Sequence, residues 1–241
     1  AVAQYEASAR AVAVAAMADQ TRIDGLLGCA PNGPSDADCH ATFVSNFGRR
    51  AFRRTLDSDE VARYVAVAQT ASTEESDFYA GVEAAIGTLL QTPSFLYEAA
   101  LGEDVAGSVP PTRRLTGVEL STRMFFFLLD TIPDEAHLDA AEAGALDTED
   151  GLRSTARELL ERPEARAATA ELFAEVYRIR SVTGVVKDAG AFPAFSPALA
   201  AAMKEESRRV IDDLVWVKDA DMRDLFTTQE TFVNGELAAL Y

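Results

Sequence analysis

The sequence predicts an all-α protein, a multi-helix orthogonal bundle, with helical subdomains over residues 1–101 and 115–241 joined by a linker at 102–114. Three observations predict it. Apolar residues recur at helical spacing through most of the chain, and no window alternates apolar and polar as a half-buried strand does. Aromatic residues make up only 8% and alanine is abundant, a balance suited to closely packed helices. The apolar stretches are also punctuated by residues that start helices.

Residues 1–22 open the chain as an Ala-rich stretch with Val2, Tyr5, Ala9, Val12, Ala16 and Ile23 near a helical period, ended by Gly25, Gly28 and the loop after Cys29. A second helix is predicted from about residue 37 to 54, where Phe43, Phe47 and Ala51 are spaced by four. Asp57 and Glu60 have the spacing of a capping box and open a third helix carrying Val61, Tyr64, Val65 and Ala68. Residues 75–91 make a fourth, through Phe78, Val82, Ala85, Ile86 and Leu89. Thr92-Pro93 then restarts the chain with proline at a first helical position, where its missing N–H does no harm.

Residues 102–114, with two glycines and Pro110-Pro111, are expected to be exposed and mobile. Thr116 and Glu119 form a second capping box ahead of a Phe-rich helix whose Phe125–Phe127 run is read as core. Asp147 or Thr148 caps residues 149–161, Pro163 starts a helix through Leu172, Phe173, Val176 and Tyr177, and 181–195 is irregular. Ser196-Pro197 is the clearest helix start in the chain. It opens a helix to about Lys218 with Met203, Val210, Leu214 and Val217 inward and Trp216 in the core. Over 231–241, Phe232, Val233, Leu237, Leu240 and Tyr241 make an apolar stripe, so a partner is expected there: this domain's own core, a following C-terminal segment or a second chain.

Charge excludes several functions. The net charge is −17, and it is unevenly placed: residues 1–56 carry six bases against five acids, residues 57–241 sixteen against thirty-four. So acidic a surface repels phosphate backbones, and nucleic acid is not expected as a partner. No apolar run approaches the ~20 residues of a membrane span. No Gly-rich phosphate loop, G-x-S-x-G elbow or H-E-x-x-H helix is present, so hydrolase chemistry has no motif to rest on.

Cys29 and Cys39 are the only cysteines, and His40 follows the second. One reading is a disulfide closing a short loop, made reachable by Pro31, Asn32-Gly33 and Pro34, with Asp36 or Asp38 capping the helix beside Cys39 and His40 facing solvent or a neighbouring acid. The other is a c-type haem held by two thioethers with His40 as axial ligand. That reading requires a stretched motif, because Asp36 stands where the first cysteine of C-x-x-C-H belongs. Free thiols are a third state.

Arg49, Arg50, Arg53 and Arg54 make one basic face near a helix C-terminus. They can hold an anion, such as a carboxylate, a sulfate or haem propionates, or they can pair with the acid-rich remainder of the chain; the abundance of acid favours pairing. Asp134 and His137, at i and i+3, have the form of half a metal site, but no second such pair exists, so no metal is expected. Glu205-Glu206, Asp212-Asp213 and Asp219, Asp221 and Asp224 read as solvated helix faces.

Four stretches in this order carry a resemblance: 47–56 (Phe47-Gly48-Arg49-Arg50 onward), 90–98 (Leu90-Gln91-Thr92-Pro93 onward), 114–123 and 231–241. Together they resemble the exported domain-of-unknown-function proteins of planctomycetes and myxobacteria that accompany cytochrome-c-type domains, over roughly residues 39–241. The resemblance implies a helical protein in periplasmic, cell-surface or secreted surroundings, with a cytochrome as a possible partner. It supplies no catalytic residues, and it implies a protein that continues past Tyr241. The expected function is that of an extracytoplasmic helical module, a scaffold or docking surface in a redox-associated protein. The alternative is an electron-transfer or oxidoreductase subunit with haem c at Cys29, Cys39 and His40.

Overall fold

A computed structural model describes residues 2–241. Among the described residues lie twelve α-helices and a single short hairpin, so the all-α class holds. The chain divides into two compact units. The first runs to Phe125 and resumes over Thr131–Leu152; the second comprises Phe126–Asp130 and Arg153–Tyr241.

The first unit begins with α1 (Val2–Met17) and α2 (Gln20–Leu27). They are separate helices because the Asp19 carboxylate accepts the Arg22 N–H and starts α2 afresh. The buried face of α1 is Ala9 and Ala13, whereas Val2, Tyr5 and Val12 are exposed, contrary to the apolar spacing of the sequence. Its neighbour is α5 (Phe78–Leu89), and the small side chains of α1 let the two backbones approach closely.

α3 (Ala37–Phe52), α4 (Ser58–Glu75) and α5 form the heart of this unit around Phe43, Val44, Tyr64, Ala68, Val82 and Ile86. The Asp57/Glu60 capping box is present at the start of α4. α4 ends where Ser76 turns into the left-handed region at φ 54°, and Asp77 caps α5 by accepting the Tyr79 N–H. A one-turn helix, α6 (Pro93–Leu96), follows on its Thr92 cap.

Residues 102–114 contain a two-residue antiparallel ladder, β1 (Glu103–Asp104) with β2 (Arg113–Arg114), which alternation of side chains was too short to reveal. Its base is anchored. The Glu119 carboxylate accepts the N–H groups of Leu101 (2.7 Å), Gly102 (2.9 Å) and Thr116 (2.8 Å). Gly102 sits at φ 64°, and a Cβ there would meet the Arg114 carbonyl at 2.6 Å, so the turn requires glycine. The boundary drawn at 102–114 thus falls inside the first unit, which continues through the N-terminal part of α7 (Gly117–Leu129) and α8 (Glu135–Glu142). Phe125 is fully buried, but Phe127, two residues on and across the helix, is 76% exposed rather than core.

The second unit is built on α9 (Glu149–Leu160), whose first residues belong to the first unit, α10 (Pro163–Val176), α11 (Pro197–Asp212) and α12 (Gly235–Leu240). α11 is central, packing on α10, on α12 and on the 3₁₀ turn Ile179–Gly184. Ser196 caps it through the Leu199 N–H, with Pro197 at the first helical position, as the sequence indicates. Beyond Asp212 the helix widens into a π turn, Asp213–Val217. The wider turn changes the helical phase, which leaves Val217 65% exposed instead of inward. No helix among the described residues is long and apolar enough to cross a membrane.

Candidate functional site

The cysteines are bonded to each other, Cys29 to Cys39, with 5.6 Å between their α-carbons. The local sequence arranges this. Gly28 closes α2 at φ 72°, and Asp36 caps α3 by accepting the Cys39 N–H (3.0 Å) while it also accepts the Asn32 N–H (2.8 Å). Cys39 therefore lies in the first turn of α3, and the bond ties the end of α2 to the start of α3.

His40 does not face solvent; it is fully buried. Being next to Cys39 on a helix places it about 100° round the axis, on the side where α4 and α5 pack. Its Nδ1 lies 2.9 Å from Gln69 Nε2, and its Nε2 lies 3.2 Å from Ser72 Oγ and 3.3 Å from the Phe78 carbonyl. An amide nitrogen can only donate, so Nδ1 accepts and Nε2 carries the proton: the ring is neutral. Burial pushes its pKa below the usual value, against the opposing pull of the Phe78 carbonyl and the Asp36 charge. The ring stacks on Phe78 with centroids 4.2 Å apart. These residues do not fit a covalently attached haem, since both sulfurs are in one bond and both imidazole nitrogens are engaged inside the helix junction.

The four arginines separate into different tasks. Arg49 reaches α8, bonding Glu135, Asp139 (2.7 Å) and Glu142 (2.9 Å). Arg54 grips Glu60 with both Nη atoms at 2.7 Å, which holds that carboxyl below its ordinary range. Arg53 is buried and stands at φ 58° as the cap of α3. Its guanidinium donates to the carbonyls of Ala51 (3.0 Å), Ser94 (2.7 Å), Tyr97 (3.1 Å) and Phe95 (3.4 Å). Burial depresses its pKa, with Glu98 opposing. Arg50 is exposed. The basic stripe read from sequence is therefore not one anion site.

Asp134 and His137 meet each other: the carboxylate caps α8 at the His137 N–H (3.0 Å) and lies 2.7 Å from Nδ1. The His137 ring stands edge-on to Phe125. Among the described residues no group of three or more His, Cys, Asp or Glu is placed to hold a metal.

The second unit carries a groove of about 540 Å³ along α11, walled by Tyr177, Ile179, Val182, Leu225 and Phe226. The rings of Tyr177 and Phe226 stand edge-to-face, 6.3 Å apart. Glu206 is the only ionised group lining it. Its carboxylate accepts hydroxyls from Thr231 (2.5 Å) and Tyr241 (2.8 Å), and none of the described lysines or arginines pairs with it. Its neighbour Glu205 takes both nearby cations, Arg208 (2.7 Å) and Arg209 (2.8 Å), which hold it down to about 2. Sequence reading set Glu206 on a solvated face. The signal against that was its position, three after Met203 and four before Val210, within the apolar stripe of the helix. Phe226 on this groove is exposed, as are Val233, in a neighbouring cleft that shares Glu206, and Leu240, while Leu237 is buried against Leu199 and Ala202. The expected apolar stripe of 231–241 is thus only partly covered.

Such a helical chain, with its polar groups tied into local structure, is placed by sequence comparison among proteins of unknown function. Residues 115–241 match the family PSD4, protein of unknown function (DUF1592), and the chain belongs to that family. Residues 39–99 match PSD5, protein of unknown function (DUF1595). No curated protein and no solved structure matches the chain.

Proposed function

We propose that this chain is an extracytoplasmic helical module whose second unit is a docking surface for another protein. The observation that carries the reading is the set of exposed apolar side chains along α11: Tyr177 and Phe226 wall the groove, and Phe232 and Val233 line a neighbouring cleft that shares Glu206 with it. Isolated exposed apolar residues are ordinary, but a contiguous apolar patch with a polar rim marks an interaction site. The disulfide supports a periplasmic, cell-surface or secreted setting, where such bonds persist. The redox surroundings implied by the sequence resemblance enter as the kind of neighbour, a cytochrome among them, and not as chemistry of this chain.

The test is site-directed photocrosslinking of the exported chain, with the crosslinker at Phe226 or Val233 and, as reference, at Asp59 on the first unit. Defined adducts from the first two positions, lost when Tyr177 is replaced by aspartate, are expected. Equal adducts from all three positions, or none, would remove the docking reading.

A further inference from the structure

We infer that the α11 groove recognises a cation on an apolar stem, the arginine or lysine side chain of a partner protein flanked by apolar residues; this rests on the docking reading above. The groove supplies both halves of that chemistry. Its walls are aliphatic and aromatic, and the exposed ring of Phe226, edge-to-face with Tyr177, suits a guanidinium or an alkyl stem. Its single charge is the Glu206 carboxylate, half-buried and held in place by two hydroxyl donors. Thr231 and Tyr241 satisfy lone pairs but leave the negative charge uncompensated. Arg208 and Arg209 are both bonded to Glu205, and neither forms an ion pair with Glu206. A carboxylate beside apolar walls attracts a cation more strongly than one in open water, because the local dielectric is lower. An anionic or wholly apolar partner would leave that charge desolvated and unpaired, and so is disfavoured. The volume, about 540 Å³, holds one long side chain and its neighbours.

The experiment uses the full 241-residue chain and two capped tripeptides, leucine–arginine–leucine and leucine–norleucine–leucine, titrated by two-dimensional NMR. The arginine peptide is expected to shift the Tyr177 and Phe226 ring resonances and to bind about tenfold more tightly than the norleucine peptide, the effect of one charge-assisted hydrogen bond. Glu206→Gln keeps an acceptor for Thr231 and Tyr241, so the fold is retained. It should abolish the tenfold preference, weakening the arginine peptide and, with no charge left to desolvate, tightening the norleucine peptide. Phe226→Ala, at a side chain 74% exposed, should weaken both peptides. Equal binding of the two peptides to the native chain, with Phe226→Ala weakening both, overturns the cation inference and keeps the docking surface. Binding of neither peptide also overturns the inference, and crosslinking of the wider face then judges the docking reading separately.

Discussion

Gly81 faces His40 so closely that a methyl group on its α-carbon would lie 2.6 Å from the imidazole Nε2. The same methyl would stand 2.1 Å from Ser72 Oγ and 2.6 Å from the Ala68 carbonyl. α4 and α5 therefore touch through a position where no side chain fits. Gly81→Ala is expected to destabilise the protein by about 2–3 kcal/mol, the upper part of the range for overpacking, because backbone as well as side chain must move. A urea midpoint unchanged from the native chain would refute this.

His40 makes stability depend on pH in a defined direction. Its folded pKa lies below the ordinary value, so the unfolded chain takes up the proton first as pH falls. The contribution is complete above about 6.5, the unfolded value, and is lost progressively from there down to the lower folded pKa. Glu119 and Glu142, whose carboxyls are held below their usual range by N–H and arginine donors that outweigh burial, lose their contributions only at more acid pH. His40→Gln should flatten the slope of denaturation midpoint against pH just below 6.5 and leave the more acid part in place. A slope of the same size in that variant would assign it to other groups.

Replacing Cys29 and Cys39 together by serine should cost about 3 kcal/mol, the chain-entropy value for so short a loop. The helical circular dichroism should be kept, since α3, α4 and α5 hold their own core. The mass of the unreduced native chain should rise by two hydrogens on reduction; two free thiols before reduction would exclude the bond.

Arg53 is expected to be the most sensitive of the four arginines. Its loss leaves carbonyls of Ser94 and Tyr97 without their donor and an unfilled space in the first unit. Arg53→Ala should cost about 3 kcal/mol, and Arg53→Lys should recover only part, since an ammonium cannot span four carbonyls as the guanidinium fork does. Arg50→Ala, at an exposed position, should change stability by less than about 0.5 kcal/mol. Chemical denaturation of the three variants ranks them, and equal values for Arg50 and Arg53 would contradict the assignment.

The residues that were legible in sequence act over a few positions. Asp57 with Glu60, Thr116 with Glu119 and Ser196 with Pro197 each satisfy backbone groups within one helical turn, so their spacing alone reveals them. The disulfide was one of three open readings, because a loop with prolines and a turn permits closure without compelling it. What escaped depends on distant partners. Arg53 donates to carbonyls more than forty positions away, and Arg49 meets α8 some ninety positions on. His40 looked like a solvent-facing residue because nothing near it in the chain announces Gln69 or Ser72. The Asp19 cap was missed because the apolar spacing from Val12 and Ala16 to Ile23 carries a helical period straight through it.

The buried network around His40 has a consequence for how the helices choose one another. α3, α4 and α5 meet through large apolar side chains such as Phe43, Tyr64 and Ile86, and rotating one helix by a residue, about 100°, would displace its apolar face and its polar partners together. Gln69 and Ser72, one turn apart on α4, would then leave both imidazole nitrogens without partners in the core, at about 1–3 kcal/mol for each unpaired group. Apolar side chains tolerate a shifted neighbour more readily than directed hydrogen bonds do, so the polar network adds a penalty specific to the wrong rotation. It acts as an index mark that fixes which faces meet, so its worth lies in the alternatives it rules out more than in the energy it adds.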